Sequence, residues 1–273
     1  MNILEYKDKI KKGISSKELW QDAVNKSKSS MEKLNPYVTI MDEYMSLDSD
    51  SKLNGVPYSI KDNFSTKGIL TTGSSNILKD YIPPFDSTVY KKLKQSGAAL
   101  VGKTVLDELA MGGSGLTGHT GIVRNPYDTT RIAGGSSTGS VVSVAANLVP
   151  FSIGSDTGDS VRKPSSYCGV VGFKPTYGRI SRYGLFPFAS SLDHVGVITR
   201  NVLDAAIVVD VLKGKDKMDM TTLEDDNISY SDNLVNDLKG KKLFYIKEIV
   251  DKENVNNEET NKILDNFYQK VND

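Results

Sequence analysis

Residues 134–164 read GGSSTGSVVSVAANLVPFSIGSDTGDSVRKP, two knots of Gly and Ser that enclose one apolar run. In the first knot, Gly134 to Gly139, Ser can cap free backbone N–H groups and Gly permits tight turns, which suits the opening of a helix. The spacing predicts that helix over Ser140 to Asn147. Leu148 to Ser155 then reads as a short buried strand, with Pro150 near its start, where a missing donor does least harm. It ends in Gly154-Ser155-Asp156-Thr157-Gly158-Asp159-Ser160, a strand end feeding a second turn. In an open α/β sheet such strand ends line the crevice where backbone N–H groups and side chains converge on a ligand. A flexible linker would not enclose Val141-Val142-Ser143-Val144-Ala145-Ala146. On the residues alone, the stretch suits a phosphate-binding loop as well as a catalytic one.

Upstream, the hydrophobic pattern of residues 3–34 predicts two helices, the second opened by Ser15 and Glu18 at capping-box spacing. Asn35 to Met41 and Leu53 to Ile60 read as strands, the latter delivering Lys61 at its end. A lysine there is either exposed on a buried stem or truly buried, and burying an ammonium costs several kcal/mol. A helix over Phe85 to Lys94 and a strand over Ala98 to Gly102 follow, then a helical turn from Val105 to Gly112. Residues 97–104, GAALVGKT, fit the phosphate-loop pattern. A true phosphate loop joins a strand to a helix through a polar interior; here a helix precedes and the interior is strand-like, so the fit is discounted.

Downstream, Cys168 reads as a small core hydrophobe. His119 and His194 have no cluster of acidic or Cys neighbours, so no metal site is expected. Arg124 and Arg162 read as structural ion-pair or hydrogen-bond residues. Arg200 to Lys213 reads as an amphipathic helix, Lys242 to Ile246 as a strand, and Asn257 to Val271 as a last helix. The 273 residues are 38% hydrophobic and 25% charged, enough for a sizeable core. Lys+Arg and Asp+Glu are 34 each, so no global basic bias suggests nucleic-acid binding. The charged N-terminus is neither a secretory signal nor a membrane span, and one cysteine forms no internal disulfide, which together favour a cytoplasmic protein.

The paired knots resemble the signature of the amidase-signature hydrolases, GGSSGGS followed by GSDTGGSIR-x-P. Ser160 follows Ser136 at the family spacing of 24 positions, and GVPYSIKDN, residues 55–63, matches the family's G-x-P-x-x-x-K-D-N. The resemblance implies an α/β amidase-signature fold, a mixed central β-sheet flanked by helices. It implies a helical layer over 1–34, a core over 35–215, and a linker with the start of an incomplete C-terminal portion over 216–273, the rest of the fold being missing. It implies Ser160 as nucleophile, Ser136 on a cis peptide as proton relay, and Lys61 as base. Lys61 must then be neutral, its pKa brought from about 10.4 towards about 7 by burial. Backbone N–H groups of Thr157, Gly158, Asp159 and Ser160 would form the oxyanion hole.

Ser181-Arg182-Tyr183-Gly184-Leu185 and Phe188-Ala189-Ser190-Ser191-Leu192-Asp193 resemble one branch, the glutaminase subunits of tRNA-dependent amidotransferases. That branch implies glutamine as substrate and subunits B and C as partners. It implies no cofactor in this chain, ATP and Mg in the partner subunit, tRNA contacted mainly through that partner, and no membrane. A stand-alone amidase and a catalytically impaired scaffold are the alternatives. Two positions depart from the family pattern, Thr138 and Asp159, where Gly is usual. A carboxylate at 159 is expected to repel an oxyanion and to favour a charged Lys61.

Overall fold

The computed structural model describes residues 1–235, 237, 239–242, 244, 246 and 257–272. Helices α1 (Ile3–Lys11) and α2 (Ser16–Leu34) occupy the predicted N-terminal stretch. The complete capping box lies on α1, where Asn2 accepts from the Glu5 N–H at 2.8 Å and Glu5 accepts from the Asn2 N–H at 2.9 Å. On α2 only half of the expected box forms, the Glu18 N–H donating to Ser15 Oγ at 3.2 Å.

Among the described residues six strands follow: β1 (Tyr37–Ile40), β2 (Pro57–Lys61), β3 (Ala99–Thr104), β4 (Phe151–Asp156), β5 (Val171–Phe173) and β6 (His194–Thr199). They form one sheet in the order β1-β3-β2-β4-β6-β5. β3, β2 and β4 run parallel, while β1, β6 and β5 pair antiparallel with their neighbours. Strand β2 starts at Pro57 rather than Leu53, because Gly55, at φ +74°, turns the chain just before it. Helix α4 (Thr138–Ala145) starts two residues before the predicted position. Asn147 at φ +57° ends that turn of chain, so β4 begins at Phe151, after Pro150 rather than before it.

The helix over 85–94 is observed as α3 (Thr88–Gln95), capped by Ser87. The segment Val105 to Gly112 is no regular helical turn: a short 3₁₀ piece at Glu108–Ala110 carries Leu109 and Ala110 at positive φ. Helices α5 (Arg162–Tyr167) and α6 (Val202–Leu212) complete the core. α6 is buried from Asp204 through Val209 rather than amphipathic, because it packs between the sheet and α3. The C-terminal helix α7 spans Glu258–Asn272; of the strand expected over 242–246, positions 243 and 245 lie outside the described residues.

Side chains alternate across the strands and fill two cores. Leu100 of β3 and Val195 and Val197 of β6 pack with α3 and α6, whereas Ala99, Val101 and Ile198 pack with α2 and α4. The connection from β2 to β3 carries α3 on one face, and that from β3 to β4 carries α4 on the other. The sheet order therefore reverses direction at β2, and the carboxyl end of β2 borders the crevice such a reversal opens. The chain divides into a unit over Met1–Leu234, which holds all six strands, and a second over Val235–Asp273. Among the described residues no helix is long and apolar enough to cross a membrane.

Candidate active site

Lys61 is the last residue of β2 and is fully buried. Its strand parity is set two residues earlier, where Ser59 Oγ meets Ser143 of α4 at 2.9 Å and Ser152 of β4 at 2.8 Å. Lys61 Nζ reaches Ser136 Oγ at 2.8 Å, Ser155 Oγ at 2.8 Å and the Ser155 carbonyl at 3.3 Å. These are neutral acceptors, and among the described residues no carboxylate lies within ion-pair distance. Burial therefore dominates and lowers the Lys61 pKa to about 7, against the opposing pull of Asp107, Asp156 and Asp193. Ser136 is fully buried and follows a cis Gly135–Ser136 peptide just before α4.

Ser160 lies in the turn between β4 and α5 and is buried. The turn is closed by Asp156, whose carboxylate accepts from the Val161 N–H at 3.1 Å and from Arg162 Nε at 3.1 Å. Burial alone would raise the Asp156 pKa, but the Arg162 and Val161 hydrogen bonds overcome it and hold the group below the usual carboxylate range. The two Gly/Ser knots are stitched together by their backbones: the Ser137 N–H donates to the Ser160 carbonyl at 3.0 Å. Ser137 Oγ also donates to the Ser155 carbonyl at 3.0 Å. The N–H groups of residues 157–160 donate to no acceptor among the described residues, which leaves four donors unspent beside Ser160. Ser160 Oγ likewise has no hydrogen-bond partner among them.

The Amidase family pattern matches residues 21–271 of this chain. The chain belongs to the amidase family. It is 45% identical to the glutamyl-tRNA(Gln) amidotransferase A subunit of Prochlorococcus marinus (strain NATL2A), over 93% of this chain and 55% of that protein. It is 57% identical to the corresponding protein of Mycoplasma pneumoniae, over 63% of this chain and 36% of that protein. Among solved structures, the glutamyl-tRNA(Gln) amidotransferase A subunit from Thermotoga maritima superposes with a TM-score of 0.75 at 42% identity, over 82% of this chain and 49% of that one. An amidase family protein from Bacillus anthracis str. Ames gives a TM-score of 0.80 at 30% identity, over 86% and 51%. The chain spans about half the length of the curated relatives it matches.

Within this amidase-family core the two departures meet different surroundings. Asp159 is exposed, its φ is not positive, and its carboxylate pairs with Lys163 Nζ at 3.0 Å, one helical turn on. The repulsion expected of it is thereby directed to the surface and partly neutralised. Thr138 is buried at the start of α4, its Oγ1 without a partner among the described residues; a Cβ on Gly115 would stand 2.6 Å from it.

Several residues outside the sequence reading support the site. Ser155 is the second ligand of Lys61 and also accepts from Asn63 Nδ2 at 3.0 Å. Asp193, in the FASSLD run, accepts from Thr157 Oγ1 at 2.6 Å and so ties the free N–H turn to the loop before β6. Ser155 lies inside the quoted motif and Asp193 inside a quoted run, but only the fold shows what each touches. Lys103, from the phosphate-loop pattern, is fully buried in β3 and donates to the Phe64 carbonyl, Thr66 and Thr71 at 2.7–2.9 Å. Its amine has no room for a phosphate. Cys168 is buried, and desolvation pushes its thiol up to about 12, as suits a core hydrophobe. Arg162 makes the structural ion pair expected of it, and among the described residues the Arg124 side chain reaches only the Thr129 carbonyl, at 3.4 Å. Among the described residues no group of three or more His, Cys, Asp or Glu could hold a metal ion.

Proposed function

We propose that this chain carries the glutamine-hydrolysing machinery of a glutamyl-tRNA(Gln) amidotransferase. The observation that supports the reading most is a fully buried Lys61 near neutrality, 2.8 Å from Ser136 Oγ, in a fold whose two motifs bring Ser136 and Ser160 onto adjoining backbone. Ser160 Oγ attacks the side-chain amide carbon of glutamine while its proton passes to Ser136 and the proton of Ser136 passes to neutral Lys61. A charged Lys61 offers only donors, so this step needs the deprotonated amine. The oxyanion that develops is held by the unspent N–H groups of residues 157–160. As the C–N bond breaks, Lys61 returns its proton through Ser136 to the leaving nitrogen, which departs as ammonia. Water then hydrolyses the glutamyl ester of Ser160, giving glutamate.

The ammonia is delivered to partner subunits B and C of the amidotransferase, where ATP and Mg activate the glutamate of a misacylated Glu-tRNA(Gln). The chain itself uses no cofactor, meets tRNA mainly through the partner, and works in the cytoplasm. A stand-alone amidase is the second reading, favoured by the larger TM-score to the Bacillus anthracis protein. The 42–57% identities to amidotransferase chains, against 30% to that protein, favour the first. Ammonia release from glutamine, stimulated when subunits B and C are co-expressed and copurify, tests it. Hydrolysis of other small amides with glutamine untouched would favour the second reading.

A further inference from the structure

The segment Val105 to Gly112 has no role in the chemistry described above, yet it contains a fully buried carboxylate aimed back at the site. Asp107 has no ion-pair partner among the described residues. Its oxygens instead accept from the N–H groups of Ser114 (3.1 Å), Gly115 (3.0 Å), Leu116 (3.0 Å) and Thr117 (3.3 Å) and from Thr117 Oγ1 (3.0 Å). Residues 114–117 thus wrap a single negative charge, as backbone nests wrap anions. Two further contacts join this knot to Ser136. The Asp107 N–H donates to the Ser136 carbonyl at 3.2 Å, and the Gly135 N–H donates to the Gly113 carbonyl at 3.0 Å. The fit is tight: a Cβ on Gly135 would stand 2.0 Å from Asp107 Oδ2.

The geometry points to Asp107 as a positioning residue, which holds the Gly135–Ser136 peptide, and so Ser136 Oγ, against Lys61. It touches none of the reacting atoms. Its charge adds a second effect. The carboxylates that act on Lys61 are Asp107, Asp156 and Asp193, and Asp107 is the strongest of the three, raising a pKa that burial lowers. Loss of the charge at 107 therefore lowers the pKa of Lys61 further. A purely structural residue would lack this signature.

The test compares wild type with Asp107→Asn in two ways. The first is the rate of Ser160 labelling by a serine-directed fluorophosphonate between pH 5 and 9, which rests on the reading of Lys61 as base. The plateau rate is expected to fall at least about tenfold, since misplacement by about 1 Å costs up to about 10²-fold, and the midpoint is expected to move to lower pH. The second is amide hydrogen exchange, which does not depend on that reading. Exchange is expected to quicken at Gly115, Leu116 and Gly135 and to stay unchanged in α2. Should Asp107→Asn fail to fold, Thr117→Ala keeps the charge and removes two bonds, the one from Thr117 Oγ1 to Asp107 and the one that Oγ1 accepts from the Glu108 N–H. It is expected to quicken exchange at the same amides and to lower the plateau several-fold with the midpoint unmoved. A wild type that takes no label at Ser160 counts against the proposed hydrolysis, and the exchange comparison then decides the role of Asp107 alone. Unchanged exchange at Gly135, or a plateau loss in Asp107→Asn with an unmoved midpoint, overturns the assignment.

Discussion

Two buried lysines on neighbouring strands do opposite work. Lys61 meets only hydroxyl and carbonyl oxygens, whereas Lys103 faces the buried Asp62 carboxylate at 3.3 Å. For Lys61, burial is a cost to folding whenever the amine is charged. Its folded pKa of about 7 lies below the unfolded value of about 10.4, so the unfolded chain binds the extra proton between these pH values. Stability consequently rises with pH across that window, and the full cost, on the order of 4 kcal/mol, applies below about pH 7. Lys61→Met is expected to abolish labelling of Ser160 and to raise the unfolding temperature relative to wild type more at pH 6 than at pH 9.5. A difference independent of pH would count against a neutralised Lys61. Lys103→Met leaves Asp62 charged and unpaired, and urea unfolding is expected to register a loss of about 3–5 kcal/mol. Asp159→Gly removes only an exposed ion pair, so a stability change within about 1 kcal/mol and less than a threefold change in labelling rate are expected. A larger gain in rate would mean that Asp159 does burden the oxyanion turn.

At the scale of elements, the site depends on how closely α4 lies on the strands. A Cβ on Gly139 would stand 2.3 Å from the Pro36 carbonyl and 2.7 Å from the Val105 nitrogen, while its own N–H donates to the Val105 carbonyl at 2.9 Å. Backbone atoms cannot rotate away as a side chain can. Gly139→Ala is expected to cost about 1–3 kcal/mol by overpacking and to slow Ser160 labelling, because α4 carries Ser136 with it. Denaturant midpoints and labelling rates of the same variant check both effects. The helix α4, the strand β4 and the strand-end position of Lys61 were legible in the sequence, since apolar runs bounded by Gly and Ser name their own ends. Strand β6 was not: HVGVIT follows a turn-rich loop and reads weakly, and its pairing with β4 is set by a contact some 40 residues away in sequence. The buried state of α6 was missed for a related reason, because its charged flanks, Arg200 and Lys213, mimic an amphipathic pattern that its interior lacks.

At the scale of the molecule, the two cores share their strands, so neither can come apart alone. Trp20, the single tryptophan, is buried with α4 and donates through Nε1 to the Leu100 carbonyl at 2.7 Å. Its fluorescence reports the face of the sheet on which Ser136 lies. Trp20 fluorescence and Ser160 labelling are expected to disappear at the same urea concentration; labelling lost at lower urea than the fluorescence would mean that the site comes apart before the core beneath it. The motifs pointed to the candidate residues of the site because such chemistry is confined to short runs. Their supports, Ser155, Asp107 and Asp193, stayed silent because each acts through a contact that only the folded chain makes. A neutral Lys61 that drives Ser160 through Ser136 is the core of the proposed mechanism. Fluorophosphonate labelling of the chain, read by peptide mass spectrometry alongside Lys61→Ala, tests it most directly. Label on Ser160 is expected to rise with pH through about 7 and to vanish in Lys61→Ala. Label that persists in Lys61→Ala, or none in the wild type, would contradict it.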